Sequence, residues 1–428
     1  MKVISVADPA ATAAVLRRAQ GILSDSLIEE ARTIMKAVAD NGDSALLDYT
    51  AKFDGARINS FRVTREELDN AYSQVSKEQQ RAIKLMKDRL AKSELALLRR
   101  LKGISLSFEG VRIDRQVKPV SSVGCYIPGG KARYPSTAVM CAVPAKLAGV
   151  KRIVAISPPR KDGTIDPLTL VAADMCGVDE FYKVGGAHGI AALAYGTQSV
   201  KPVSKIVGPG GSFVTAAKVA ASRSVSIDMV AGPTELLIYA DAAADPRLAA
   251  IDLVSQAEHG VDTVCGLVTA SEKLAGQVQS EVKSVIERIT RSDIVKSSLE
   301  RNGFLAVCRR ESDCVEFVNE FAPEHLEVIS KKADRIAKKI DTAGLVLIGE
   351  STPSSASDYC LGSNHVLPTL GFGKSRGSLS VLDFVKIVNK VKASRAGLKK
   401  VDRAVRAMAG AEGLLNHYEA VNARMDQK

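Results

Sequence analysis

The chain has 428 residues, too many for one ordinary hydrophobic core, so its length implies two to three domains. Charged residues make up 25% and hydrophobic residues 46%, the balance of a globular protein, and with 4% aromatics and no Trp the cores must be built mainly from Ala, Val, Leu and Ile. The net charge of +11 comes from Lys and Arg scattered over apparent helices, as in "LLRRLKG" and "LKKVDRAVRA", which reads as solvated faces and argues against a nucleic-acid surface.

The opening "MKVISVADPA" has one Lys and no long apolar core, so it is not a signal peptide. No stretch approaches about 18 apolar residues, so no membrane span is expected. Seven cysteines, an odd number with no CxxC pair, fit reduced thiols in a cytoplasmic protein better than disulfides or a thiolate zinc site.

The first hundred residues read as helical. "SLIEEARTIMKAVAD" has Ser26 and Glu29 spaced as a capping box, and Thr64 with Glu67 opens a second helical run toward Arg100. From about Val111, short β-branched runs such as "KRIVAISPP", "EFYKVGG", "SKIVGPGG" and "LLIYAD" alternate with Ala-rich helical segments, which indicates βαβ units and a parallel sheet covered on both faces. The alternation resumes through "AAIDLVSQAEHG", "FLAVCRR", "HLEVIS" and "GLVLIGE", and from Leu379 the chain again reads as helical. The expected fold is α/β, with two Rossmann-like parallel-sheet domains, a helical N-terminal region and a helical C-terminal tail. The expected boundaries are a helical arm over 1–22, a discontinuous α/β domain from 23–125 plus 236–378, a second α/β domain over 126–235, and a tail over 379–428.

Four glycine-rich turns, "YIPGGKARYPS", "VGGAHG", "VGPGGSF" and "VAGPTE", are expected to follow strands. They are either ordinary tight turns or backbone N–H cradles for an anionic ligand at one sheet edge. None matches GxGxxG followed by a spaced acidic residue, and there is no Walker A sequence.

The five histidines fall in "SQAEHG", "VGGAHG", "APEHL", "GSNHVLPT" and "LLNHYEA". Gln256 and His259, spaced i, i+3, either end a helix or offer two ligands on one side. Glu324 and His325 stand side by side, a pair able to serve two separate proton transfers or simply lie at a surface. Asp358 and His365 share a Ser/Gly-rich segment, and Glu412 and His417 lie near the C-terminus. Gln256, His259, Asp358 and His417 together form an N/O donor set without sulfur, which suits Zn²⁺ if they converge.

At these residues the sequence resembles the histidinol dehydrogenases, most specifically in "YIPGGKARYPSTAVM", "IDMVAGPTELLIYAD", "SQAEHG", "APEHL", "GSNHVLPT", "SLSVLDF" and "AEGLLNH". The resemblance runs from about Val111 to the C-terminus, with weaker similarity in the helical first hundred residues. It implies oxidation of L-histidinol to L-histidine through the aldehyde, the last step of histidine biosynthesis, with two NAD⁺ and one water. It implies one Zn²⁺ per subunit held by Gln256, His259, Asp358 and His417, with Glu324 and His325 as the acid/base pair. Thr234, His365 and Glu412 would contact substrate, as would His325 and the four metal ligands. Tyr126, His188 and Gly211 would bind the dinucleotide. It also implies an intertwined homodimer in which His417 and Glu412 complete the neighbour's site.

The family commonly has Gln where this chain has His188 and Asn where it has Gly211, so weaker NAD⁺ binding or an altered NAD pose is expected. The alternatives are a related dehydrogenase of another primary alcohol, such as a sulfonated diol, and a non-catalytic ligand-binding relative. The retained Glu324 and His325 argue against the latter.

Overall fold

The structure, a computed structural model, describes residues 1–18, 23–129 and 133–425. It opens with β1 (Lys2–Ser5) and α1 (Pro9–Arg18), so the expected helical arm begins with a strand. Next come α2 (Asp25–Asn41) and α3 (Asp43–Asp54). Ser24, not Ser26, caps α2, its side chain accepting from the Leu27 N–H. Ala31, Ile34, Met35 and Val38 recur at helical spacing and form its buried stripe. The expected capping box of Thr64 and Glu67 opens α4 (Arg65–Gln74). A second box, Ser76 with Gln79, opens α5 (Lys77–Leu98), so the long run breaks at Val75–Ser76. Two antiparallel strands follow, β2 (Ile104–Phe108) and β3 (Val111–Pro119), joined at Glu109–Gly110, both with positive φ as a tight hairpin turn requires.

The next block alternates strictly: β4 (Ser122–Tyr126), α6 (Pro135–Ala148), β5 (Arg152–Ser157), α7 (Pro167–Met175), β6 (Glu180–Lys183), α8 (Gly186–Tyr195), β7 (Lys205–Val207), α9 (Ser212–Ala221) and β8 (Ser226–Ile227). Its five strands are parallel, in the order β6-β5-β4-β7-β8. The helices of the first hundred residues pack on this sheet's layers. Ala31, Met35 and Leu46 share a core with Ile190 and Ala217, and Met86 and Leu90 share one with Met140 and Val171. This differs from the expected grouping of 23–125 with 236–378. Both faces of the five-stranded sheet need cover, and the apolar stripes of α2 and α5 supply its outer layer.

The second block runs β9 (Glu235–Ala240), α10 (Pro246–Ala257), β10 (Val264–Thr269), α11 (Glu272–Ile286), α12 (Ser292–Arg301), β11 (Phe304–Val307), α13 (Glu311–Phe321), β12 (His325–Ile329), α14 (Ala333–Ala337), β13 (Leu345–Ile348) and α15 (Ser354–Ser357). Its sheet is parallel in the order β1-β11-β10-β9-β12-β13, with the chain's first strand at one edge. In each block the earliest strand lies inside and the winding reverses beside it, a doubly wound order with a switch point at β4/β7 and another at β9/β12.

The tail is not purely helical. β14 (Val385–Ala393) pairs with β3 along nine residues before α16 (Arg395–Ala411) and α17 (Leu415–Met425). Val385, Ile387 and Val391 recur at the strand period. No helix of the described residues is long and apolar enough to cross a membrane.

One buried ion pair secures the loop after β7. The Lys218 ammonium pairs with Asp228 and donates to the Gly208 carbonyl at 2.9 Å, while Asp228 accepts from the N–H groups of Gly208 (2.7 Å) and Met229 (2.6 Å). Gly208 has φ +111°, and a Cβ there would sit 2.3 Å from the Tyr126 carbonyl, so only glycine fits. Replacing Lys218 with Ala leaves Asp228 buried without its counter-charge. The expected loss is about 3–5 kcal/mol of unfolding free energy, read from denaturant melts.

Candidate active site between two sheet edges

Residues 228–234 connect the C-terminal end of β8 to the N-terminal end of β9, a span of at most about 25 Å. Polar bonds cross the same gap: Asn364 donates to the Met140 carbonyl at 2.8 Å, Arg376 donates to the Asp228 carbonyl, and Gly232 N–H donates to Thr369 Oγ1 at 2.5 Å. The C-terminal edge of the five-stranded sheet therefore adjoins the N-terminal edge of the six-stranded one. "VAGPTE" lies on this link and leads into a strand, so three of the four glycine turns, not four, precede helices.

At the N-terminal edge, the pairing of β12 with β9 sets His325 opposite Leu236 and so brings Glu324 beside Glu235. Glu324 Oε2 accepts from the Thr234 hydroxyl and the Glu235 N–H, both at 2.7 Å. In return, the Glu324 N–H donates to Glu235 Oε2 at 3.2 Å. His325 Nδ1 lies 3.0 Å from the Glu235 carbonyl, which can only accept, so Nδ1 carries the proton and Nε2 is the free base in the neutral ring. Among the described residues Nε2 is buried without a hydrogen-bond partner, and it stands 3.8 Å from Asp358 Oδ1. Burial disfavours the charged ring, but the Glu324 and Asp358 carboxylates outweigh it and lift His325 to about 9.

The metal-ligand candidates approach the same place from two helix ends. Gln256 is buried in the last turn of α10; its Nε2 donates to Thr234 Oγ1 at 2.9 Å, which orients Oε1 the other way, toward the Ser354 hydroxyl at 3.4 Å. His259 lies just past α10 and is exposed. Asp358 caps the C-terminus of α15, which packs on α10, and the carboxylates of Asp358 and Glu258 both act on Tyr359. Among the described residues the Asp358 carboxylate accepts no hydrogen bond. His365 Nδ1 lies 2.8 Å from the Asp358 carbonyl, and burial lowers this ring's affinity for a proton. Gln256 Oε1, His259 and Asp358 thus leave N and O donors weakly engaged, which fits a borderline divalent cation. One chain brings only part of the set. Glu412 and His417 are exposed beside the junction of α16 and α17, and no hydrogen bond or ion pair joins them to the cluster. Among the described residues no group of three or more His, Cys, Asp or Glu side chains gathers as a metal site.

The dinucleotide candidates lie at the C-terminal edge of the other sheet. Tyr126 ends β4, and Gly211 precedes α9 in the loop after β7, so they straddle the β4/β7 switch point. The N-termini of α8 and α9 have no side-chain cap, which leaves backbone N–H groups for phosphate oxygens. A Cβ at Gly211 would meet nothing within 4 Å. The Tyr126 hydroxyl accepts from the Gly186 N–H at 3.2 Å. His188 is buried, with its ring about 6 Å from the rings of Tyr49 and Phe53 and Nε2 3.7 Å from Asp54. Lys131, in the glycine turn after β4, lies outside the described residues.

Several residues of the site carry no sequence signal of their own. Glu235 is hidden by its place at a strand start, and Arg17 reaches it from α1 at 2.5 Å. Asp252, one turn before Gln256 on α10, is discoverable by helical spacing; its carboxyl meets that of Glu327 two residues after His325. Burial first, then the Asp252 charge, pushes Glu327 up to about 8, so the pair retains one proton.

A sequence profile of the histidinol dehydrogenase family matches residues 17–425. A histidinol dehydrogenase of Methanocaldococcus jannaschii is 40% identical over 401 residues, covering 94% of this chain and 93% of its own. One from Clostridium acetobutylicum is 40% identical over 409 residues, covering 96% and 95%. The crystal structure of histidinol dehydrogenase from Elizabethkingia anophelis superposes with a TM-score of 0.93 at 34% identity, covering 99% of this chain and 98% of that one.

The shared proton gives a stability test. Glu327 holds its proton in the folded state up to about 8 and releases it near the ordinary carboxylate range when unfolded. The folded state therefore binds more protons, its stabilisation is complete below the unfolded value, and it is lost as pH rises toward 8. Denaturant midpoints are expected to fall between pH 5 and pH 8, and Glu327→Gln to flatten that fall.

Proposed function

This chain belongs to the histidinol dehydrogenase family, and on that premise we propose that it oxidises L-histidinol to L-histidine through the aldehyde, using two NAD⁺ and one water. The observation that carries the reading is the Glu324–His325 pair. One turn presents a carboxylate held by a hydroxyl and a backbone N–H, beside an imidazole whose Nε2 is buried and unpartnered.

Once deprotonated, His325 Nε2 takes the alcohol proton of histidinol, its opposite nitrogen held by the Glu235 carbonyl so that the neutral ring presents one tautomer. Its Nε2 returns the base form when that proton passes to solvent. Glu324 then removes a proton from the water that attacks the aldehyde. The dinucleotide, when bound, would supply the hydride-accepting chemistry of both oxidations. Tyr126, His188 and Gly211 would hold it, and the uncapped N-terminus of α9 would offer N–H groups to its phosphates. The strand order 3-2-1-4-5 of the five-stranded sheet supports a Rossmann-like binding domain.

Zinc, one per subunit, would be held by Gln256, His259, Asp358 and the His417 of a second copy, and would supply a Lewis-acid anchor that orients the nitrogen-bearing substrate. Thr234 and His365 line the substrate's position, and Glu412 of the second copy closes it. An intertwined homodimer is supported by an apolar face that one chain leaves exposed. Ile104, Leu106 and Phe108 on β2 and Ile387 and Val391 on β14 project to solvent, with Leu414 and Leu415 exposed before and at the start of α17. All seven cysteines are free, which supports the cytoplasm as its compartment.

Two NADH per L-histidinol, loss of activity on chelation and its return with zinc are the expected outcomes. A single NADH per substrate would leave a one-step alcohol dehydrogenase. Glu324→Gln is expected to keep the first hydride transfer and slow aldehyde oxidation about 100-fold or more. Gly211→Asn, entering open space, is expected to lower KM for NAD⁺ about 3- to 10-fold by adding hydrogen bonds, without loss of stability.

A further inference from the structure

Arg17 stands near the end of α1, more than 200 residues from Glu235, Phe321 and Ala322, which it bonds. Its guanidinium donates to Glu235 Oε1 at 2.5 Å, to the Phe321 carbonyl through Nε (3.0 Å) and Nη2, and to the Ala322 carbonyl at 3.1 Å. It also lies over the Phe321 ring, 4.0 Å from the centroid. These are the last residues of α13 and the turn that delivers Glu324. Ala322 has φ +49°, a left-handed conformation that a non-glycine residue holds only when its surroundings enforce it.

On the other side of this grip, Glu235 makes three separate bonds to the acid/base pair. Its N–H donates to Glu324 Oε2, its Oε2 accepts from the Glu324 N–H, and its carbonyl faces His325 Nδ1. Its remaining oxygen is shared between Arg17 and the Leu370 N–H at 2.8 Å. Burial pushes the Glu235 carboxyl up, and Arg17 is the first of the groups opposing that push. Without the guanidinium, a buried carboxyl group would face Glu324 with no compensating charge.

We propose that Arg17 is a positioning residue for the oxidation, seating Glu324 and His325 by gripping Glu235 and the carbonyls of the Phe321–Ala322 turn. The inference rests on the reading above, that Glu324 and His325 move the protons. Arg17 bonds Glu235 and the turn, and acts on the pair through them. Lys at this position keeps the charge but cannot span the carboxylate and two carbonyls at once.

The test uses the full chain with zinc and NAD⁺, with kcat and KM measured for L-histidinol and for the aldehyde, at temperatures where circular dichroism shows each variant folded. Arg17→Ala is expected to lower kcat about 10- to 100-fold and leave KM for histidinol within about twofold, with Arg17→Lys falling between it and the parent. In a Glu324→Gln background the Arg17→Ala loss in aldehyde oxidation is expected to shrink, because the group being positioned is already gone. A lowered melting temperature with parental kcat in the folded enzyme overturns the inference, as does a full, additive loss in the Glu324→Gln background. Should Arg17→Ala not fold, Arg17→Lys and Glu235→Gln decide, and parental kcat in both overturns it. If Glu324→Gln itself oxidises the aldehyde at the parental rate, the reading beneath the inference fails. An impaired Glu324→Gln with an unimpaired Arg17→Ala defeats the inference alone.

Discussion

Two glutamates clasp one another at the start of adjacent strands, and the rest of the site is arranged around that clasp. Glu235 gives its N–H to the carboxylate of Glu324, and Glu324 gives its N–H to the carboxylate of Glu235. Neither bond exists unless β9 and β12, separated in sequence by about ninety residues, are neighbours in register. Like charges in a buried place normally repel, and here each carboxylate is met by N–H or hydroxyl donors, with Arg17 supplying the counter-charge. The same register points His325 Nδ1 at a backbone carbonyl and leaves Nε2, among the described residues, buried without a hydrogen-bond partner. A tautomer is thereby selected by sheet pairing.

The clasp also explains why the site lies at an unusual edge. In doubly wound sheets, ligands gather at the strand C-termini. In the five-stranded sheet, Tyr126 and the loop before α9 lie at the C-terminal switch point. The acid/base cluster sits at the N-terminal edge of the six-stranded sheet instead. The short 228–234 link joins the two edges across one crevice, so the loops at the β4/β7 switch point face the Glu324–His325 cluster. The loop from Asp358 to Asn364 spans the same gap, bonded to α15 at one end and to α6 at the other.

Much of this was legible from local pattern. The strands and helices from Ser122 onward follow apolar runs and their turn residues, and Thr64–Glu67 announces its helix start because a cap is a contact between near neighbours. The misses share one cause. Lys2–Ser5 is a strand only because β11 offers an edge, and β14 only because β3 does; short segments of either kind are ambiguous until a partner is present. The helices of residues 25–98 carry clear apolar stripes, yet a stripe does not say which sheet it covers, and the expected assignment chose the wrong one.

The residue types of the candidate site belong to the sequence itself: a Gln and a His one helical turn apart, a Glu beside a His, an Asp in a Ser-rich segment. Their chemistry and their family resemblance follow from identity and order, which need no fold. Bringing Thr234, Gln256, Glu324, His325, Asp358 and His365 to one place required the tertiary structure, as did the discovery that Glu235 and Arg17 stand behind them. These contacts join groups from about twenty to more than three hundred residues apart. Side chains at such separations have no periodic relation that a sequence can display; only the closing of a parallel sheet and the packing of α1 against α13 put them within bonding distance.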